Sequence, residues 1–254
     1  ASARASASIG TDLYRFITDR FTLPQLNLPE AELTSPEEAA RILRAAWGRG
    51  TEPLPNLVQL AESHGVRVMS LPVQSRTVDA FSFIRDHQAY AFLSTAKTAE
   101  RSRFDLAHEL GHLVMHAHQP LNRDARLSAD DDLERQADRF AAEFLMPAEA
   151  VLPRSSREPA VPEILELKRN FHVSAMAMAK RLHTLGRASE WAYRKNCGEL
   201  TKRGYRADEP EGMPRERSRV FDVVFPSLRK KGCLEHLLSD ALGIRLPLVH
   251  ELTF

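Results

Sequence analysis

The segment His108-Glu109-Leu110-Gly111-His112 is the feature of this 254-residue chain that most constrains its fold. Residues four apart on an α-helix lie on one face, one turn apart, so His108 and His112 can direct two imidazoles at one metal ion. Glu109 lies beside that face, where its carboxylate can reach a water molecule rather than the ion. The spacing therefore predicts a metal-binding helix that the fold must hold next to a further ligand.

The residue types indicate hydrolytic zinc chemistry. A catalytic zinc site takes three protein ligands and leaves a fourth position for water, and a set of His, His and Glu suits this metal. When zinc binds a water molecule, the pKa of that water falls to about 7. Glu109 can accept the proton and later deliver it to a leaving amine. We therefore predict that His108 and His112 are zinc ligands and that Glu109 is the catalytic base.

The third ligand must come from elsewhere in the chain. The candidates that follow the helix are His116, His118, Asp130, Asp131, Asp132, Glu134, Asp138 and Glu143. Glu134 shares a helical stripe with Ala137 and Ala141, whose small side chains would let a second helix pack closely against the first. Asp138 lies one turn after Glu134 and could accept the second ring N–H of a ligand histidine. We predict Glu134 as the third ligand and Asp138 as a partner of a ligand histidine.

Other polar residues near the motif receive simpler interpretations. His116 is interpreted as a helix-end residue, residues 130–132 as charges in a first helical turn, and Glu143 as a solvent-facing residue. Tyr90, His116 and His172 could each stabilise an oxyanion. For each of the three, a structural role as a strand aromatic, a helix end or a turn is the favoured interpretation.

Local patterns predict an α+β fold, in which a small antiparallel or mixed sheet packs on the histidine helix and on a Glu-bearing helix. The expected elements are helices over 10–28, 36–47, 57–63, 99–116, 130–145, 162–171, 174–185 and 220–242, with strands over 66–70, 80–84 and 89–94. Residues 1–9 and 204–218 have the composition of linkers. We expect an N-terminal linker and helix over 1–34, a catalytic domain over 35–186, and a mainly helical region of unknown role over 187–254.

Composition excludes some classes of function. The formal net charge is +1, so the chain as a whole offers no electrostatic attraction to nucleic acid or to an anionic membrane. No run of 18 apolar residues is present, and we expect no transmembrane helix. Cys197 and Cys233 do not make a disulfide framework, and reduced thiols in a cytoplasmic protein are expected.

Two segments resemble the hallmarks of the ImmA/IrrE metallopeptidases. Arg103-Phe104-Asp105-Leu106-Ala107-His108-Glu109-Leu110-Gly111-His112-Leu113-Val114 resembles their zinc helix. Glu134-Arg135-Gln136-Ala137-Asp138-Arg139-Phe140-Ala141-Ala142-Glu143-Phe144-Leu145-Met146-Pro147 resembles their second motif, whose opening Glu is the third zinc ligand. The resemblance covers roughly residues 36–186 and implies a thermolysin-like core. The family often has Gly where His172 stands, a departure that concerns only a turn.

The resemblance also implies a biological setting. Members of the family are bacterial or phage cytosolic proteins that cleave, or help to remove, DNA-binding repressors and so switch on stress or mobile-element genes. Many carry an upstream helix-turn-helix domain, and the linker-like residues 1–9, which lack an initiator Met, are consistent with such a domain having been lost here. The resemblance names neither the substrate nor the oligomeric state.

Two alternative functions remain open at this stage. The first is a regulatory or sensor module that uses the metallopeptidase fold without proteolysis and acts with a linked helix-turn-helix domain. The second is nucleic-acid binding through residues 187–254, against which the near-zero net charge argues. We expect a zinc endopeptidase that cleaves a transcriptional repressor.

Overall fold

The structure is a computed structural model that describes residues 2–71, 79–117, 126–230 and 253. Its elements in chain order are α1 (Ser2–Thr18), α2 (Pro36–Ala46), α3 (Leu57–Ser63), β1 (Arg67–Leu71), β2 (Ala80–Arg85), β3 (Gln88–Ser94), α4 (Ala99–Met115), α5 (Arg126–Leu145), α6 (Ala148–Val151), α7 (Val161–Phe171), α8 (Ala175–Thr184), α9 (Glu190–Lys202) and α10 (Arg219–Lys230). The α+β class is confirmed. Cys233 and the predicted helical stretch beyond residue 230 lie outside the described residues.

Capping residues set several helix starts where the sequence predicts them. The Ser35 side chain accepts a hydrogen bond from the Glu38 N–H, and Asn56 accepts one from the Gln59 N–H, so each satisfies a first-turn donor of its helix. Residues 2–9 were expected to form a linker, but they form the first half of α1. Their alanines favour a helix, and the buried positions that follow in α1 hold it against the protein.

The chain forms two compact units, and each combines segments that are distant in sequence. The first contains the described residues within 1–27, 56–97 and 216–254, and the second contains those within 28–55 and 98–215. The domain boundaries expected from the sequence remain a prediction.

A three-stranded mixed sheet with the order β1-β3-β2 lies in the first unit. β1 runs parallel to β3 with Met69 opposite Phe92, and β2 runs antiparallel to β3. β2 and β3 form a hairpin, and Asp86 and His87 at its turn have φ values of 50° and 57°, which fits the type I′ turn that a two-residue hairpin favours.

The core of this unit joins the sheet to the first and last described helices. Leu13 and Ile17 of α1, Met69 of β1, and Phe221 of α10 belong to one buried cluster. The start of α10 is fixed by Glu62 of α3, whose carboxylate accepts hydrogen bonds from the Ser218 hydroxyl and the Arg219 N–H. A carboxylate at this end stabilises the helix because it satisfies free N–H groups and complements the helix dipole.

In the second unit, α4 and α5 pack at close range. Gly111 of α4 faces the Phe140 ring of α5, and a Cβ at this glycine would lie 3.0 Å from the ring Cδ1 atom. Ala137 and Ala141 of α5 are fully buried, as expected for the small-residue stripe of a close helix contact. This packing places the motif helix and the Glu-bearing helix side by side.

Two buried ion pairs overturn expectations from the sequence. Glu143 was expected to face solvent, but it is buried and accepts a hydrogen bond from Arg181 of α8. Residues 204–218 were expected to be a flexible linker, but Glu209 is buried at 2.6 Å from the Lys168 ammonium of α7. In each case a distant cation offsets part of the cost of burying the carboxylate.

A candidate metal centre on two helices

Helix α4 presents the two motif histidines away from the core. The Thr98 side chain accepts a hydrogen bond from the Arg101 N–H and caps the first turn, and Leu106 and Leu110 are fully buried. His108 and His112 lie on another side of the same helix and remain partly accessible, with 16% and 22% of their side chains exposed. The helical periodicity therefore separates the packing face from the imidazole face.

Three donor groups converge at this face. His108 Nε2 lies 3.0 Å from His112 Nε2 and 3.1 Å from one carboxylate oxygen of Glu134. The other Glu134 oxygen lies 3.2 Å from His112 Nε2. The structure thus brings together the two histidines and the glutamate that the sequence predicts as ligands.

The spacing of these donor atoms fits a small divalent ion. Ligand atoms arranged tetrahedrally at about 2.0–2.1 Å from zinc are separated from one another by about 3.3 Å. The observed distances of 3.0, 3.1 and 3.2 Å are close to this value. Within the described part of the chain, His108, His112 and Glu134 form the one group of three or more such donors that could hold a metal ion.

Asp138 forms a hydrogen bond with the first ligand histidine, His108. Its Oδ1 lies 3.0 Å from His108 Nδ1, so the Nδ1–H points toward Asp138 and Nε2 points toward Glu134. Burial lowers the pKa of His108, but the hydrogen bond to Asp138 and the charges of nearby carboxylates outweigh burial and raise it. The hydrogen bond to His108 also lowers the pKa of Asp138, against its partial burial.

The second histidine is kept neutral. Burial and the neighbouring charge of His108 lower the pKa of His112 to about 4. Its Nδ1 lies 3.0 Å from Nδ1 of His116, whose Nε2 lies 3.3 Å from the Gln136 amide oxygen. A neutral imidazole is the form that binds a metal, so His112 is suited to this role.

Glu109, the predicted base, is buried, and only 7% of its surface is accessible to solvent. It contributes to the raised pKa of the adjacent His108 through its charge. Its position directly after His108 is the one that the sequence motif requires, and its catalytic role stays a prediction.

The remaining candidate ligands are used in other ways or fall outside the described structure. Asp132 accepts hydrogen bonds from Arg135 and Gln136. It was assigned to a first helical turn, but α5 begins at Arg126, one turn earlier than expected. His118 and the Asp130 side chain lie outside the described residues.

The three residues considered for oxyanion stabilisation have separate structural settings. Tyr90 is a buried strand residue of the first unit and contacts the Tyr14 and Phe83 rings. His172 ends α7 in the left-handed conformation, with φ of 54°, which explains why glycine is common at such a turn. His116 ends α4, as expected, but its ring also joins the metal centre, which the sequence interpretation did not foresee.

The sequence carried only weak signals for the contacts of His116 with His112 and Gln136, which the sequence analysis did not predict. His116 lies four residues after His112, so it lies on the same helix face one turn further along. Gln136 lies between Glu134 and Asp138 and was given no role. Its spacing alone does not show which nitrogen of which histidine its amide meets.

Two helices that bring His, His and Glu together form a site that could hold a metal ion, as expected of a metallopeptidase-like domain. The comparison with protein families agrees, because residues 61–183 match the Peptidase_M78 family, described as the IrrE N-terminal-like domain. This match confirms the resemblance to the ImmA/IrrE metallopeptidases within the matched segment. Among curated proteins, none matches the chain at a significant level.

The matched segment contains α4 and α5 with all three donor residues, together with the sheet strands. It is shorter than the span of about 36–186 over which the motifs suggested a resemblance. Among the described residues, no helix combines the length and the apolar character needed to cross a membrane.

Proposed function

We propose that this chain is a zinc-dependent endopeptidase with His108, His112 and Glu134 as metal ligands. The observation that carries the proposal is the convergence of their donor atoms at separations of 3.0–3.2 Å. The Peptidase_M78 match to the segment that contains all three residues supports a peptidase over a structural metal site. Side-chain exposure also supports it, because a site closed to solvent could not admit a peptide.

Each residue of the chain has a defined task in this proposal. A bound zinc ion would supply Lewis acidity, which polarises a peptide carbonyl and makes water more acidic. The Glu109 carboxylate would take a proton from the attacking water and transfer it to the amine that leaves. Asp138 would keep the His108 ring oriented through the bond to Nδ1, and close packing of α4 on α5 would hold the ligand set in place.

We further propose that the substrate is a DNA-binding transcriptional repressor and that cleavage derepresses stress or mobile-element genes in the bacterial cytoplasm. This step rests on the family resemblance and on the Peptidase_M78 match. An upstream helix-turn-helix domain that brings the peptidase to its substrate belongs to the same proposal. Direct nucleic-acid binding by this chain is not part of it, in keeping with the net charge of +1.

The Glu109→Gln variant tests the catalytic proposal. The amide keeps the size of the side chain but cannot accept the water proton, so cleavage of a quenched-fluorescent peptide library should fall at least about 100-fold, the lower range for loss of a general base. Zinc content, measured by elemental analysis, should remain at one ion per chain.

Glu149→Gln, at an exposed position of α6, is the matched control and should cleave at the parental rate. If the Glu109→Gln variant cleaves as fast as the parent, Glu109 is not the base. If the parent binds zinc but cleaves neither the library nor a co-expressed repressor, the peptidase function is wrong.

A further inference from the structure

The two ligand histidines use their ring nitrogens in the same way but have different partners. In both, Nε2 points toward Glu134 and Nδ1 points away from it. Asp138 accepts the Nδ1–H of His108, which accounts for the orientation of that ring. His112 has no carboxylate at the corresponding position in the described structure; its Nδ1 faces Nδ1 of His116 at 3.0 Å.

A hydrogen bond between two imidazole nitrogens requires that one carries a proton and the other a lone pair. The neighbours of His116 show which of the two Nδ1 atoms carries the proton. The Asp132 carboxylate can only accept, so the Gln136 amide nitrogen, 3.0 Å away, must donate to it. The Gln136 amide oxygen therefore points the other way, toward His116 Nε2 at 3.3 Å.

The orientation of the Gln136 amide sets the direction of the hydrogen bonds from Gln136 through His116 to His112. Because the Gln136 oxygen is an acceptor, His116 carries its proton on Nε2 and has a lone pair on Nδ1. That lone pair accepts the Nδ1–H of His112, which leaves the Nε2 lone pair of His112 directed at the donor triangle. A proton on His112 Nε2 would leave no lone pair there for a metal.

We propose that His116, Gln136 and Asp132 are positioning residues that hold the proton of His112 on Nδ1 and so prepare its Nε2 for the metal. The three residues join the end of α4 to α5 and perform for His112 the task that Asp138 performs for His108. The inference rests on the metal centre of the proposed function and does not require that the centre cleaves peptides.

Two variants of His116 test the inference in the full chain. His116→Phe keeps a ring but removes the acceptor, so the affinity for Zn²⁺ should fall about 10- to 100-fold, the range for loss of such outer partners. His116→Gln restores an acceptor oxygen and should bind Zn²⁺ within about threefold of the parent. Gln136→Met removes the bond that orients His116 and should give an intermediate loss. Affinities are measured by competition with a chromophoric chelator.

The second measurement is the tautomer of His112 in the metal-free protein, by long-range ¹H–¹⁵N NMR. The parent and His116→Gln should carry the proton on Nδ1, whereas His116→Phe should show an Nε2–H population. His183→Phe, at a histidine of α8 that contacts Ala188 and Glu190, is the matched control and should change neither quantity.

The inference is overturned if His116→Phe binds Zn²⁺ as tightly as the parent. It is also overturned if affinity falls while the His112 proton stays on Nδ1, because His116 would then act on the fold and not on the ring. A parent chain that binds no Zn²⁺ overturns the inference together with the proposed function. Parental Zn²⁺ affinity without peptide cleavage overturns the peptidase function alone.

Discussion

At the scale of single residues, Gly111 shows how the motif depends on its neighbour helix. In the structure, Gly111 is buried and faces Phe140 of α5. A glycine costs a helix about 1 kcal/mol relative to alanine, and the close approach of α4 and α5 explains why this cost is tolerated.

Gly111→Ala should therefore destabilise the protein in spite of the better helix propensity. The new Cβ would lie 3.0, 3.1 and 3.3 Å from three atoms of Phe140, which is fully buried and has little freedom to move. Overpacking of about 1–3 kcal/mol outweighs the gain of about 1 kcal/mol in helix propensity. Chemical denaturation should show a net loss of about 1 kcal/mol in the free energy of unfolding.

Gly198→Ala is the matched control, because a Cβ at this exposed position of α9 meets nothing within 4 Å. It should raise stability by up to about 1 kcal/mol. Equal stabilisation by both substitutions would show that α4 and α5 are less closely packed than the structure indicates.

At the scale of elements, Lys168 explains why residues 204–215 are ordered in the second unit. Its ammonium contacts Glu209 at 2.6 Å and lies 3.8 Å from Glu100 at the start of α4. Glu209 also accepts a hydrogen bond from the Ala175 N–H, so it satisfies a donor in the first turn of α8. One buried carboxylate thus ties an irregular segment to α7 and α8.

Lys168→Met should be strongly destabilising. Methionine fills a similar volume but leaves the Glu209 carboxylate buried without its cation, which costs about 3–5 kcal/mol. Thermal unfolding should show a large fall in melting temperature. Arg203→Ala, which removes an exposed pair with Glu199 at the end of α9, should cost less than about 0.5 kcal/mol. Similar effects of the two changes would mean that Lys168 is not buried in solution.

At the scale of the whole molecule, the first unit depends on both ends of the described chain. Its buried cluster combines Leu13 of α1 with Met69, Phe92 and Phe221, so segments far apart in sequence cover the sheet. Gly10 permits α1 to pack closely on the sheet, because a Cβ there would lie 2.8 Å from the Phe92 ring. A contiguous segment that begins after α1 cannot bury the same surface.

A fragment of residues 35–186, the domain expected from sequence, should therefore fold poorly. It keeps the sheet but lacks α1 and α10, and the exposed apolar residues should bind a hydrophobic dye and promote aggregation. The full chain is the reference, and Gly10→Ala should weaken the same core by about 1–3 kcal/mol. A cooperative melting transition of the fragment at the parental temperature would contradict the two-unit division.

The sequence by itself determined the features that depend on residues close together in the chain. The spacing of His108 and His112 acts within one helical turn. The helix that begins at residue 36 and the strands over 80–84 and 89–94 follow from equally local patterns. Glu134 was also predicted, because its helical stripe of small residues indicated the close contact of α5 with α4.

Only the tertiary structure decided which distant groups meet. Glu143 looked exposed because its partner Arg181 lies 38 residues away, and residues 204–218 looked like a linker because nothing nearby indicates Lys168. Gln136 faces His116 for the same reason: the two lie on different helices, and their meeting depends on how α4 and α5 pack. Tertiary contacts reverse these local preferences, because a distant cation offsets part of the cost of burying a charge. The packing of two helices likewise decides which side chains share a hydrogen bond.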